Sequence, residues 1–322
     1  MSKMKNIVIL DAAITNPGDL SWERLASLGN LIIYPNTPYD KIVERAKDAH
    51  ILISCKVVID EPILAQLPQL EYIGVLATGY NNIDITAATQ RNIPVTNAVG
   101  YSSPAVAQHV FALLLALTNR VGQHNTDVQQ NGWAEANEWC YWKMPLVELS
   151  GKTMGIYGLG KIGQTVAQIA NAFSMKVVAT RKNPNKPTPT YIQLVDEKTL
   201  FQESDVLSLH APLSAANQGI INTKTLALMK SSAYLINTGR GGLVNEIDLK
   251  EALQHGQIAG AGLDVLTQEP PPFDHPLLGL SNCIITPHHA WAAQASRQRL
   301  IDIVTDNVQA FLKGNLKNVV KG

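Results

Sequence analysis

Short apolar runs alternate along the chain with polar stretches in which apolar residues return every three or four positions. Runs at 7–10, 31–34, 51–54, 72–76 and 94–96 read as strands, and the segments between them, such as 41–47 and 85–91, carry helical spacing. Strand and helix in strict alternation predict a parallel sheet with helices on its faces. Past residue 100 the pattern changes. Ser103 reads as a helix N-cap and Pro104 suits the first turn, where its missing N–H costs nothing. Val106, Val110, Leu113, Leu114 and Leu117 then recur at helical spacing, and Phe111, Ala112 and Leu115 make the other faces apolar as well, which predicts a helix buried on most sides. A second series of strands follows at 153–157, 176–179, 206–209, 234–236 and 283–286, with an exposed Pro- and Asn-rich loop at 183–190 and a closing helix within 292–312. The fold class is α/β, with two doubly wound, Rossmann-like parallel sheets.

A chain of 322 residues exceeds what one core usually supports, which agrees with two domains. Lys and Arg together number 26, as do Asp and Glu, so the net charge of zero gives no electrostatic reason to expect nucleic acid or an anionic membrane as partner. Cys55, Cys140 and Cys283 are odd in number, widely spaced and free of any CxxC motif. That pattern predicts buried, inert thiols in a reducing cytoplasm, with neither a disulfide framework nor a metal site. The first apolar run is too short for a signal-peptide core. The apolar stretch 110–117 falls far short of the ~20 residues that span a bilayer.

The clearest chemical motif is Gly158-Leu159-Gly160-Lys161-Ile162-Gly163, which follows the strand at 153–157 and opens a helix through Val166, Ile169 and Ala170. Glycine spacing alone is weak; the strand before and the helix after make it a dinucleotide signature. Its glycines permit the tight turn, the approach of backbone to pyrophosphate and the packing of helix on strand, while the helix N-terminus offers amides to the phosphates. The next strand normally ends in an acid that binds the ribose 2′-hydroxyl of NAD. Here it ends Ala179-Thr180-Arg181-Lys182, without an acid and with two cations. An arginine can hold a 2′-phosphate, so either NAD or NADP is expected, with NADP(H) preferred.

Three polar residues follow later apolar strands: Arg240 in Asn237-Thr238-Gly239-Arg240-Gly241, Glu269 in Asp264-Val265-Leu266-Thr267-Gln268-Glu269-Pro270, and His288 in Pro287-His288-His289. Open α/β sheets place ligands at the carboxyl ends of their strands. Reduction of a 2-oxo acid needs a hydride at C2 and a proton on its oxygen. Histidine suits proton transfer near neutral pH, a carboxylate orients and stabilises its cation, and arginine pairs with the substrate carboxylate as a fork. His288, Glu269 and Arg240 are assigned these three roles, with His289 as the competing imidazole. Taken singly, each residue has a plainer structural explanation; it is their occurrence together, downstream of the glycine motif, that points to chemistry.

These motifs, with the segment 204–213 (His210, Ala211 and Pro212 near its end) and Gly262-Leu263-Asp264-Val265, resemble the D-isomer-specific 2-hydroxyacid dehydrogenase family over essentially the whole chain. Segments 18–22, 76–81, 287–292 and 295–300 are similar to its glycerate dehydrogenases, also called hydroxypyruvate reductases. The resemblance implies a discontinuous substrate domain, 1–98 with 292–322, and a cofactor domain over 99–291. It implies that the amides of Ala77, Thr78 and Gly79 hold the substrate carboxylate. It places His210, Ala211, Pro212, Thr238 and Gly239 against the cofactor and Asp264 on the nicotinamide side. It also implies a homodimer joined through the helix after Ser103, and hydroxypyruvate or glyoxylate as the oxidised substrate. Formate dehydrogenases share the pattern but carry Gln where Glu269 stands. A nucleotide-sensing corepressor shares the scaffold and is the non-enzymatic alternative, separable by turnover. The missing acid near Thr180, the imidazole at His289 where relatives are often apolar, and Trp291 depart from the family pattern or lack an assigned role.

Overall fold

Five short strands, β1 (Asn6–Ile9), β2 (Asn30–Ile33), β3 (Ile51–Ser54), β4 (Tyr72–Val75) and β5 (Val95–Thr96), pair in parallel in the order β2-β1-β3-β4-β5. Seven more, β6 (Thr153–Tyr157), β7 (Lys176–Thr180), β8 (Ile192–Leu194), β9 (Val206–Leu209), β10 (Tyr234–Asn237), β11 (Gly260–Leu263) and β12 (Cys283–Ile285), form a second parallel sheet in the order β12-β11-β10-β9-β6-β7-β8. The structure is a computed structural model and describes residues 4–320. It divides the chain into two units: the residues up to Ser102 with those from Ala292 on, and Ser103–Trp291.

In the first unit, β3 and β4 are buried along their whole length, whereas edge strand β2 is partly exposed. Strands covered on both faces read as unbroken apolar runs, which is why these two stood out in the sequence. Strand order reverses between β1 and β3, the switch point where such sheets open a crevice. The last helix, Gln294–Leu312, belongs to this unit although it comes last in the chain. Phe311 stacks on Tyr72 with ring centroids 4.7 Å apart. At the other end of the helix, Arg297 grips both oxygens of Asp19 at 2.7 Å each and donates to the Thr15 carbonyl. This fork-to-carboxylate pair fixes the helix to the N-terminal segment.

In the second unit the order reverses between β6 and β9, and both faces of the sheet carry apolar clusters. The helix Ser103–Thr118 packs on β10 and β11, with Leu113 and Leu117 against the glycines of β11, and buries Val110 and Leu114 as well. Ser103 lies in its first turn, one position inside the cap expected from sequence. Two strands were missed by the sequence reading. β8 is three residues long, and β11, Gly260-Ala261-Gly262-Leu263, is too rich in small residues to give an apolar run. The helices Val121–Gln129 and Gly132–Ala136 were missed as well; neither buries a residue, so neither carries a periodic signal. Cys140 lies in this exposed stretch, which corrects the expectation of a buried thiol. Cys55 and Cys283 are partly buried, and burial pushes both thiols up to about 12. Among the described residues no single helix is long and apolar enough to cross a membrane.

Candidate active site

The glycine turn sits at the carboxyl end of β6, beside the switch point. Gly158 has φ +102°, and a Cβ there would lie 2.5 Å from the Ala211 amide nitrogen, so only glycine lets the two loops approach. The Thr180 carbonyl accepts from the amides of Gly158 (3.2 Å) and Leu159 (3.0 Å), tying the end of β7 to the turn. Gly160 faces open space, with no atom within 4 Å of where a Cβ would stand, and the helix Lys161–Ala172 starts at the next residue. Thr238, at the end of β10, buries a hydroxyl that finds no partner among the described residues. An open backbone face, a helix N-terminus and an orphaned hydroxyl fit a dinucleotide. His210 bonds the Ser208 hydroxyl at 2.8 Å, and burial pulls its pKa down to about 4, so it is neutral at physiological pH. Arg181 folds over its own loop, its Nη1 bonding Thr188 Oγ1 (3.0 Å) and the Lys186 carbonyl (3.2 Å), and Lys182 is exposed.

The polar trio comes from loops at the same end of the same sheet. His288 Nδ1 lies 2.6 Å from Glu269 Oε2, so the structure pairs Glu269 with His288 and not with His289. The other Glu269 oxygen accepts from the Leu266 amide at 2.9 Å. Burial raises the Glu269 pKa, but the bonds from His288 and Leu266 and the charges of His288 and Arg240 outweigh it and hold the carboxyl below its ordinary 4.5. The His288 side chain remains 42% exposed, and its Nε2 makes no hydrogen bond among the described residues.

Arg240 is presented by a turn that Asn237 organises. The Asn237 side chain donates to the Arg240 carbonyl (2.9 Å) and accepts from the Gly239 amide (3.0 Å), while Arg240 Nη1 donates to the Gly239 carbonyl (2.8 Å). A Cβ on Gly241 would overlap the backbone of Leu266 and Thr267, so the Arg240 turn is seated directly on the Glu269 loop. The far side of that loop is held by Glu246, which accepts from the Thr267 amide (2.7 Å) and contacts buried His275 at Nε2 (3.2 Å). Sequence reading missed both Glu246 and His275; Glu246 is far from Glu269 in sequence, and neither belongs to a motif.

Asp264 shows why His288 stands where it does. His288 adopts φ +51°, a left-handed conformation unfavourable for a residue with a Cβ, and this costs on the order of 1–3 kcal/mol. The Asp264 carbonyl accepts the His288 amide at 2.8 Å. The carboxylate accepts the amides of His289 (3.0 Å) and Ala290 (2.9 Å) and the Thr286 hydroxyl (2.6 Å). With 1% exposure, Asp264 is committed to wrapping the His288 turn. Thr286 Oγ1 in turn meets His109 Nε2 at 2.9 Å, a residue of the long helix that sequence reading passed over among its apolar neighbours. Burial holds His109 below the ordinary 6.5, against the pull of Asp264 and with the push of His289.

In the first unit, the turn after β4 carries Ala77, Thr78 and Gly79. The Ala77 carbonyl accepts from the Ala98 amide (2.9 Å), the Thr78 hydroxyl donates to the Ala98 carbonyl (2.7 Å), and Asn97 Nδ2 donates to the Thr78 carbonyl (2.6 Å). The amides of these three residues find no acceptor among the described residues.

Comparison with known proteins identifies the family. Residues 111–290 match the model of the D-isomer specific 2-hydroxyacid dehydrogenase NAD binding domain. A hydroxypyruvate reductase of Blautia hydrogenotrophica is 44% identical, over 98% of this chain and 99% of its own. The chain belongs to the D-isomer-specific 2-hydroxyacid dehydrogenase family. This dehydrogenase is also similar in structure to an NADPH-dependent glyoxylate/hydroxypyruvate reductase from Sinorhizobium meliloti, solved with NADP and malonate. The TM-score is 0.85 at 27% identity, covering 99% of this chain and 97% of that one. An acyclic imino acid reductase solved with NADPH and D-Arg superposes with a TM-score of 0.87 at 34% identity, covering 98% of this chain and all of that one. The dehydrogenase therefore transfers hydride between a nicotinamide cofactor and a small 2-oxo or 2-hydroxy acid, and the glycine turn and Thr238 supply features such a cofactor needs.

Proposed function

We propose that the enzyme reduces hydroxypyruvate to D-glycerate or glyoxylate to glycolate, with NADPH preferred over NADH, and catalyses the reverse oxidations. The observation that carries the catalytic reading is the 2.6 Å pair of His288 Nδ1 and Glu269 Oε2, with the opposite edge of the imidazole free. The nicotinamide, when bound, supplies the hydride at C2. His288 gives the proton from Nε2 to the carbonyl oxygen, so that C=O becomes CH–OH, and Glu269 orients the ring and stabilises its cationic form. Arg240 pairs with the substrate carboxylate and polarises the reacting carbonyl. The unengaged amides of Ala77, Thr78 and Gly79 form a nest suited to an anion such as a carboxylate. Asp264 acts by positioning the His288 turn, since its carboxylate accepts from Thr286, His289 and Ala290, all within that turn.

The substrate choice rests on what the Blautia and Sinorhizobium relatives are named for. NADPH preference rests on the absence of an acid after β7, the presence of Arg181 and Lys182, one NADPH-dependent relative and another solved with NADPH. The remaining cofactor contacts proposed are residues 158–163, Thr180, His210–Pro212 and Gly239. We also assign the protein a homodimer. The stretch after the long helix exposes Trp139 (88%), Trp142 (64%) and Leu146 (53%), apolar surface suited to a second copy. The three free thiols suit the cytoplasm.

A turnover panel tests the reading: hydroxypyruvate, glyoxylate, larger 2-oxo acids and a 2-imino acid, each with NADH and with NADPH. The highest kcat/KM is expected for hydroxypyruvate or glyoxylate with NADPH. A larger oxo acid or an imino acid turned over tenfold faster would reject the substrate assignment. Dinucleotide binding with little consumption of any substrate would instead support the corepressor-like reading.

A further inference from the structure

His289 is left without a part in the reaction, yet it does not stand alone. Its ring meets that of His109 edge-on, with centroids 5.0 Å apart and planes at 85°. One ligand atom from each of His109, Asp264 and His289 can be chosen so that all three lie within 4.8 Å of one another. His109 Nε2 and Asp264 Oδ1 are 3.5 Å apart, close to the ~3.3 Å edge of a tetrahedron with metal–ligand bonds of about 2.0–2.1 Å.

We propose that His109, Asp264 and His289 form a binding site for a divalent transition-metal ion of the zinc or nickel class, behind the turn that carries His288.

Two imidazoles and one carboxylate suit zinc, nickel or copper far better than magnesium or calcium, which prefer all-oxygen shells. Three protein ligands leave a fourth position for water. The site grades from inside to outside. The Asp264 side chain is 1% exposed and that of His109 17%, whereas His289 is exposed, so an ion can enter from solvent on the His289 side. The carboxylate is already held in place, since Asp264 Oδ1 accepts from the Thr286 hydroxyl and the His289 amide and Oδ2 from the Ala290 amide. Thr286 donates its only hydroxyl proton to Asp264, which makes His109 Nε2 the donor toward Thr286 Oγ1. The ion takes the place of that Nε2 proton, and His109 shifts its proton to Nδ1, so the imidazole stays neutral. All three ligands lie in the second unit, on the long helix, at the end of β11 and in the turn after β12. An ion there joins the His288 turn and the end of β11 to the long helix.

The experiment is Zn²⁺ and Ni²⁺ titration of purified, metal-stripped protein by calorimetry, with Co²⁺ absorption as the coordination readout. One ion per chain is expected, with the intense visible bands of tetrahedral Co²⁺. His289→Val and His109→Gln should each weaken binding at least tenfold while keeping the wild-type melting transition and dinucleotide affinity. Glu269→Gln should bind the ion as wild type does. No binding at millimolar ion, or equal affinity in His289→Val, overturns the proposal. Binding lost in Glu269→Gln but kept in His289→Val places the ion on the His288–Glu269 pair and also overturns it. Because the readout is ion binding, its failure is distinct from a failure of the substrate assignment.

Discussion

At the scale of single residues, the proposed chemistry depends on an imidazole held in an unfavourable backbone conformation by a buried aspartate. His288→Gln keeps a similar volume but cannot shuttle the proton. It should lower kcat by about 10²–10⁴-fold, the usual worth of acid–base help, with dinucleotide affinity nearly unchanged in a fluorescence titration. A loss under tenfold would remove His288 from the role. Arg240→Lys keeps the charge but loses the fork, and should lower kcat/KM severely in steady-state assays; an unchanged value would reject the clamp. The Glu269 carboxyl titrates lower in the folded protein than its ordinary 4.5. Its pairing therefore adds stability that is fully present above that value and is lost as pH falls through the lower folded one. Melts of wild type and Glu269→Gln across pH should differ most at neutral pH and converge in acid. A gap that widens toward acid would reverse the sign.

At the scale of elements, three loops at the carboxyl end of one sheet carry the proposed catalytic residues, and they are locked by contact rather than by chain continuity. The Arg240 turn rests on the backbone of Leu266 and Thr267, and Glu246 holds that backbone from the other side. Gly241→Ala forces a methyl group into main-chain atoms that cannot rotate away. It should destabilise the protein by about 1–3 kcal/mol, as overpacking does. Turnover should fall further than denaturant stability alone accounts for, because Arg240 and Glu269 separate. A variant with wild-type kcat/KM would show that the two loops need not touch.

At the scale of the molecule, each unit has its own sheet and its own buried clusters. The second unit's two clusters draw only on residues between Ala107 and Ile285, and the first unit's only on residues up to Val95 together with Val320. The chain enters and leaves the second unit once each, near Ser103 and near Trp291. A fragment comprising residues 103–291 should therefore melt cooperatively and bind dinucleotide without the rest of the chain. Non-cooperative melting would show that the two units depend on each other for stability.

The alternating pattern determined the α/β class, and the strands that escaped it did so for a local reason: β8 is short, and β11 is built from glycine and alanine where the long helix comes close. The glycine turn and His288, Glu269 and Arg240 stood out in the sequence because the reaction and phosphate binding proposed for them demand particular residue types at the ends of strands. What the chain could not disclose was which residues meet across loops. Whether Glu269 pairs with His288 or His289 turns on one left-handed residue. That Asp264 supports the turn, that Glu246 and His275 brace the Glu269 loop, and that His109 faces His289 follow from contacts between distant segments. Such contacts leave no local periodicity or spacing, because burial and backbone direction are fixed only when the sheet is assembled.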